Sequence, residues 1–343
     1  MADYQFVHPQ FTLNGFSFTQ ADLSRVAYAY IKEGDEYEQQ LGLFLLNWFD
    51  ESDTLELTTS GTTGLPKKIV LPKQAMVESA KATGHFFQLG AGTSALLCMS
   101  VQFIAGKMML VRAMQLGWQL DAIQPQANPL QKVEKPYDFA AMVPLQVANS
   151  LDKLSNINLI LIGGAPLPAV LRQQLLSLKI NAFESYGMTE TVTHIAVKSI
   201  QEPYFTALPG VQFSTDQSDC LCIDAPRIAE TTVVTKDVVQ LISTTQFAFI
   251  GRADSVINSG GVKLFPELIE QKLANSIPQR FYIMGKPDAT WGEKVVLVIE
   301  GNPYELPTSI FSALGKFEKP KEILFLPAFH ETLTAKVIRV LPD

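Results

Sequence analysis

Leu57-Thr58-Thr59-Ser60-Gly61-Thr62-Thr63-Gly64-Leu65-Pro66-Lys67-Lys68 gathers hydroxyl side chains, two glycines and two lysines in one short segment. Hydroxyls and free backbone N–H groups can ring an anion, and glycine lets the backbone approach it closely. Lysine ammonium groups add positive charge. The segment therefore reads as a phosphate cradle, although the same residues also suit a polar surface turn. It is not a Walker A loop, which needs Gly-Lys-Ser/Thr at a fixed distance after the first glycine. Pro66 occupies that place here, and no hydroxyl follows Lys67 and Lys68.

The chain that carries this segment has 343 residues, 47% hydrophobic and only 18% charged. That length and composition predict about two domains with a large core. A net charge of −7 argues against a general nucleic-acid or anionic-membrane binder, while leaving room for a local basic pocket. The first residues, Met1 to Phe6, lack a basic stretch followed by an apolar run, so no secretory leader is expected. No apolar run approaches the length of a membrane span. Cys98, Cys220 and Cys222 are expected to be buried thiols of a reduced, cytoplasmic protein. His8, His85, His194 and His330 show no metal-ligand spacing, so no metal site built wholly from side chains is expected.

Strand-like and helix-like segments alternate downstream. Ala95–Ser100, Phe139–Val143 and Leu159–Ile162 are short apolar runs ending near glycine or proline. Helical patterns over Lys73–Phe87 and Leu167–Leu178 lie between them, each with a proline near its start. This alternation predicts an α/β layer with a mainly parallel sheet. From about Gln212 the pattern turns to short β-rich pieces, Thr231–Thr235, Val238–Ser243 and Phe247–Ile250, which read as a small antiparallel sheet. A boundary near Asp254 divides residues 1–251 from 252–343. In the latter, Pro266–Ala274 and Thr308–Leu314 read as helices and Phe281–Gly285 and Val295–Glu300 as strands.

Three more segments can carry chemistry. Leu159–Leu167 is an apolar strand ending in Gly163-Gly164, and ligands bind at such carboxyl ends of parallel strands. A plain strand-to-helix turn explains it equally well. Glu184-Ser185-Tyr186-Gly187-Met188-Thr189-Glu190-Thr191 sets a carboxylate beside hydroxyls; Glu190 can hold Mg²⁺ through oxygen and Thr189 can reach a phosphate. A capped helix start accounts for the same residues. Leu333–Arg339 places Lys336 alone in apolar surroundings, which by itself is usually solvated surface. Gly90-Ala91-Gly92-Thr93-Ser94-Ala95 imitates a dinucleotide fingerprint but precedes its strand instead of following one.

In order and type these segments resemble the adenylate-forming enzymes: acyl-CoA synthetases, luciferases and peptide-synthetase adenylation domains. The matching pieces are Thr59–Lys67, Gly163–Leu167, Tyr186–Glu190, Asp237 after Thr235-Lys236, Gly251–Asp254, Ser259–Gly261 and Thr334–Lys336. The resemblance implies an α/β fold: a large N-terminal domain with a mainly parallel sheet and small β-subdomain, and a small mobile α+β C-terminal domain. It implies a carboxylic acid, ATP with Mg²⁺, and coenzyme A as reactants. The acid attacks the α-phosphorus, and a thiol then displaces AMP.

By the same resemblance, Ser60, Gly61, Thr62, Thr63, Gly64 and Lys67 would hold the pyrophosphate end. Gly164, Ala165 and Pro166 would border the adenine, and Ser185, Tyr186, Gly187 and Met188 would line it, Tyr186 by stacking. Thr189 would bind the α-phosphate, Glu190 would hold Mg²⁺, and Asp237 and Arg252 would bind the ribose. Lys336 would bridge carboxylate and phosphate, and Asp254 would be the hinge. No nucleic acid is implied, and a homodimer is compatible.

Within the family the chain most resembles the o-succinylbenzoate–CoA ligases of menaquinone synthesis. Those carry an H-[IV]-x-G segment with an arginine six residues after its glycine, and Arg112 stands six after Gly106. With Gly106 and Gly187, Arg112 would bind the acid, pairing with the carboxylate that is not activated. A surface ion pair is the competing role for Arg112. Another aryl- or acyl-CoA ligase, or an inactive nucleotide-binding relative, is the alternative function. Phe103, Lys68, Ala335 and Lys236 depart from the family pattern, and few residues precede Thr59.

Overall fold

The computed structural model describes residues 3–59, 67–331 and 337–341. Strands Ala182–Gly187, Ile157–Ile162, Tyr137–Met142, Ser94–Leu97, Gln119–Ala122 and Thr12–Leu13 lie side by side in that order, all parallel. Their apolar runs are continuous, not alternating, because both sheet faces are covered. Successive residues serve opposite faces. Ala95, Leu97, Phe139, Ala141, Leu159 and Leu161 join one core with helices Lys73–Phe87 and Ile104–Leu116. Leu96, Ala140, Ile160 and Ile162 join a second core with Leu171 and Leu175 of helix Ala169–Ser177.

The β-rich region is hydrogen-bonded to this layer. His194–Ser199 pairs antiparallel with Ala182–Gly187, and Phe205–Ala207, Gln246–Arg252, Val233–Ser243, Cys220–Asp224 and Gln212–Thr215 follow antiparallel in turn. With Phe16–Ser17 antiparallel to Thr12–Leu13 at the far edge, the result is one 13-stranded sheet, in which the small antiparallel part covers the edge that Ala182–Gly187 would otherwise expose. The segments Thr231–Thr235 and Val238–Ser243, separate by sequence pattern, form one strand Val233–Ser243 with a register shift at Val238/Val239.

A second sheet of five strands lies beyond Arg252: Val262–Leu264, Ile257–Ser259, Gly292–Glu300 and Phe281–Asp288, with Glu322–Leu326 parallel to Gly292–Glu300. Helix Pro266–Leu273 packs on it through Ile269 and Leu273. Thr308–Leu314 reduces to a single 3₁₀ turn, Thr308–Phe311. The two apolar clusters of this part begin at Ile257, and the two of the large sheet contain nothing beyond Phe249.

Candidate active site

The Gly163–Pro168 connection leaves the carboxyl end of Ile157–Ile162 and enters helix Ala169–Ser177. Gly164 has φ +86°, where a side chain would be strained. A Cβ at Gly163 would lie 2.3 Å from Ser185 Oγ, so the turn lies against the neighbouring strand, where Ser185 Oγ donates to the Ile162 carbonyl at 3.1 Å. Ala165 and Pro166 complete the rim of this turn.

Tyr186, next on that strand, donates its hydroxyl to Asp237 Oδ2 at 2.5 Å. Burial, then the Asp237 charge, push the phenol far above its ordinary pKa, so it remains a donor. Its ring lies edge-on against Phe247 at 5.0 Å and near Phe205 at 5.6 Å. Asp237 and Arg252 are opposite residues in the ladder of Val233–Ser243 and Gln246–Arg252. Arg252 Nη1 reaches Asp237 Oδ1 at 3.3 Å, while Nε and Nη2 grip both oxygens of Asp254 at 2.9 Å. The fork from Arg252 holds the Asp254 carboxyl below its usual range. Lys236, one of the departures from the family pattern, stands 3.5 Å from the same Asp254. The expected ribose pair and hinge residue thus form one connected chain.

Past Tyr186, Gly187 opposes His194 across the ladder, and a Cβ there would lie 2.2 Å from the Thr193 carbonyl oxygen. Met188 leads into the 3₁₀ turn Thr189–Thr191, capped where its N–H donates to Thr191 Oγ1. Thr193 N–H donates to Thr191 O at 2.7 Å around Val192, whose φ is +64°. A β-branched residue in that γ-turn stores strain two residues after Glu190. Glu190 is exposed and, among the described residues, in no ion pair. A free carboxylate fits Mg²⁺, which binds one or two carboxylates and completes its shell with phosphate and water.

His194 then meets Arg112. Arg112 lies on helix Ile104–Leu116 and is 2% exposed. Its Nε donates to Thr83 Oγ1 at 3.3 Å and its Nη2 faces His194 Nδ1 at 3.3 Å. No carboxylate pairs with it among the described residues. Burial draws its pKa down to about 9, still protonated at neutral pH. The surface ion pair that sequence left open is therefore not its role. Gly106, at the start of the same helix, is buried with its Cβ position 2.3 Å from the Ser100 carbonyl, so it permits close packing of the helix start.

Ser60, Gly61, Thr62, Thr63, Gly64 and Lys336 lie outside the described residues. Thr59 and Lys67 oppose each other in the hairpin of Thr54–Thr59 and Lys67–Pro72. Sequence reading missed Thr83 and His194. A threonine inside an amphipathic helix and a histidine in a strand carry no local signal; only the fold brings them to Arg112. A surface depression of about 480 Å³ between helix Ala169–Ser177 and Asn275 contains none of the motif residues.

The chain is similar to known proteins. An acyl-CoA synthetase (AMP-forming)/AMP-acid ligase II-like protein from Dyadobacter fermentans is 37% identical, with 92% of this chain and 95% of that chain covered and a TM-score of 0.63. The 2-succinylbenzoate–CoA ligase of Lactococcus lactis is 24% identical over 84% of this chain and 70% of its own. For the Escherichia coli ligase of the same name the figures are 26%, 78% and 64%. An o-succinylbenzoate coenzyme A synthetase from Bacillus subtilis, in complex with ATP and magnesium ion, shares the fold at a TM-score of 0.71 and 19% identity over 83% of this chain and 68% of that one. The chain thus spans about two thirds of the curated ligases. Residues 47–218, which carry the phosphate-loop motif, the Gly163-Gly164 turn and the Tyr186–Glu190 segment, match the AMP-binding enzyme family, and this chain belongs to it.

Proposed function

We propose that the protein is an ATP-dependent carboxylate–CoA ligase that works through an acyl-adenylate, with o-succinylbenzoate as its acid. A carboxylate is a poor acyl donor, and joining it to AMP supplies a good leaving group. The two chains of contacts divide the labour. Asp237 and Arg252 offer an acceptor and a donor for the ribose hydroxyls, while the Gly163–Pro166 turn, Ser185 and Tyr186 border the base. Thr189 takes the α-phosphate. Bound at Glu190, Mg²⁺ would neutralise phosphate charge. Gly187 sits between nucleotide and acid, and Arg112 takes the second carboxylate.

The observation that carries the dicarboxylate assignment is Arg112 itself, buried and charged, with no acidic partner among the described residues. A buried charge without compensation is costly, and a substrate carboxylate supplies the compensation. Ser60 to Gly64, Lys67 and Lys336 act on the phosphates and the reacting carboxylate. Residues 252–343 turn about Asp254 between the two half-reactions, residues 1–251 holding nucleotide and acid. A reduced cytoplasm and a homodimer suit this reading. The test is ATP–pyrophosphate exchange over a panel of acids that includes o-succinylbenzoate. That acid is expected to give the highest kcat/KM. Exchange with no acid refutes the activity, and a preference for monocarboxylates refutes the substrate.

A further inference from the structure

Every hydrogen around Arg112 can be assigned. A guanidinium only donates, so His194 Nδ1, 3.3 Å from Arg112 Nη2, must be an acceptor. The imidazole proton is therefore on Nε2, which faces Thr83 Oγ1 at 3.3 Å. Thr83 passes its own hydrogen to the Ser79 carbonyl at 2.9 Å. Its two lone pairs accept from His194 Nε2 and from Arg112 Nε. The ring is closed with no conflict. It uses two of the five guanidinium hydrogens and leaves the two on Nη1 and one on Nη2 without a partner among the described residues.

Burial, and then the Arg112 charge, hold His194 well below the ordinary imidazole pKa, so it is neutral. Arg112 thus has two neutral neighbours. A carboxylate in place of His194 would orient the guanidinium equally well but cancel its charge. An apolar residue would preserve the charge but release the plane. Imidazole does neither.

We propose that His194, assisted by Thr83, is a positioning residue for Arg112: it fixes the plane of the guanidinium without consuming its charge, so that the free edge selects acids bearing a second carboxylate. The inference rests on the reading of Arg112 as the acid's anchor and names what sets that anchor's selectivity.

The test uses the full chain and two acids, 2-succinylbenzoate and its single-carboxylate analogue 4-oxo-4-phenylbutanoate. Pyrophosphate exchange is measured for the natural chain and for His194→Leu, His194→Glu, His194→Gln and Thr83→Val. In the first two variants the ratio of kcat/KM, dicarboxylate over monocarboxylate, is expected to fall about tenfold or more, through KM for the dicarboxylate and not KM for ATP. His194→Gln, whose amide supplies an acceptor and a donor, is expected to restore the ratio to within about threefold. Should His194→Leu melt early, Thr83→Val decides, with a fall of the same sign. An unchanged ratio in an active His194→Leu chain, or equal KM increases for both acids, overturns the positioning role alone. A natural chain that exchanges with neither acid overturns the proposed ligase, and this inference with it.

Discussion

At the scale of single residues, the site turns on charges that are matched or left open. Asp237, Arg252 and Asp254 satisfy one another, whereas Arg112 has only neutral partners among the described residues. Replacing Arg112 by Ala removes the fork that would take a second carboxylate. The KM for o-succinylbenzoate is expected to rise by about 1.5–3 kcal/mol, the value of a charge-assisted hydrogen bond, with a much smaller change for a monocarboxylate. Kinetics with the two acids side by side measure this, and equal changes would show that Arg112 supports packing only. Arg112 was legible in sequence through its spacing from Gly106, but its environment was not. The family histidine is absent at Phe103, which is 41% exposed. An imidazole nevertheless stands in the site, supplied by His194 from a strand far along the chain. No local pattern announces such a meeting, because it depends on which strand pairs with Ala182–Gly187.

At the scale of elements, local patterns survive where the element is set by its own sequence. Helix Lys73–Phe87 has the limits its periodicity predicts, and Pro266–Leu273 differs by one residue. Pairing is less legible, since the bridge from parallel to antiparallel strands rests on a single neighbour, His194–Ser199. Gly187 shows how tight that bridge is. A methyl group there would lie 2.2 Å from one backbone atom and 2.5 Å from another. Gly187→Ala is expected to cost about 1–3 kcal/mol, because backbone and not a flexible side chain must give way. Denaturant unfolding would show it, along with loss of pyrophosphate exchange as His194 and Tyr186 move; normal stability and normal exchange would contradict the tight register.

Helix Pro266–Leu273 offers a test by pH. Glu270 accepts from Ile283 N–H at 2.7 Å and pairs with Arg339 at 2.8 Å. Burial nevertheless pushes its pKa up to about 7, and Arg339 and the Ile283 N–H offset only part of that rise. A carboxyl raised in the fold favours the folded state most below its unfolded pKa, near 4.5, and that contribution is lost as pH rises through about 7. The groups held low here, Asp254, Glu318 and Glu322, act in the opposite sense and on the acid side of that window. Glu270→Gln keeps an acceptor for Ile283 and does not ionise. Its melting temperature relative to the natural chain is therefore expected to rise between pH 5 and pH 8. A difference constant across that range would mean that Glu270 titrates normally.

At the scale of the whole molecule, the proposed ligase would have to run two reactions in one site. Adenylation needs positive charge where carboxylate meets phosphate; thioester formation needs a path for the thiol to the same carbonyl. The connected chain Tyr186–Asp237–Arg252–Asp254 ends at the junction of the two sheets, so a ribose held at Asp237 touches the proposed pivot through one guanidinium. If residues 252–343 swing about Asp254, a group they carry serves one half-reaction and is withdrawn for the other. On the proposed reading, Lys336 would be that group, by its place in the late Thr334–Lys336 motif. Lys336→Ala is therefore expected to lower acyl-adenylate formation by about 10²–10³-fold, the scale of losing one preorganised charge at the reacting centre. Thioester formation from supplied acyl-adenylate and CoA is expected to proceed at near the natural rate. The two are measured separately, by pyrophosphate release in a single turnover and by thioester formed from synthetic acyl-adenylate. The split between them is the informative quantity. A general loss of fold or of nucleotide binding would depress both alike, and only a residue present for the first step and absent from the second would divide them. Equal losses in a variant that keeps its melting temperature and its affinity for ATP would mean that Lys336 stays in the site throughout, and a fixed arrangement of the two parts would then replace the swinging one.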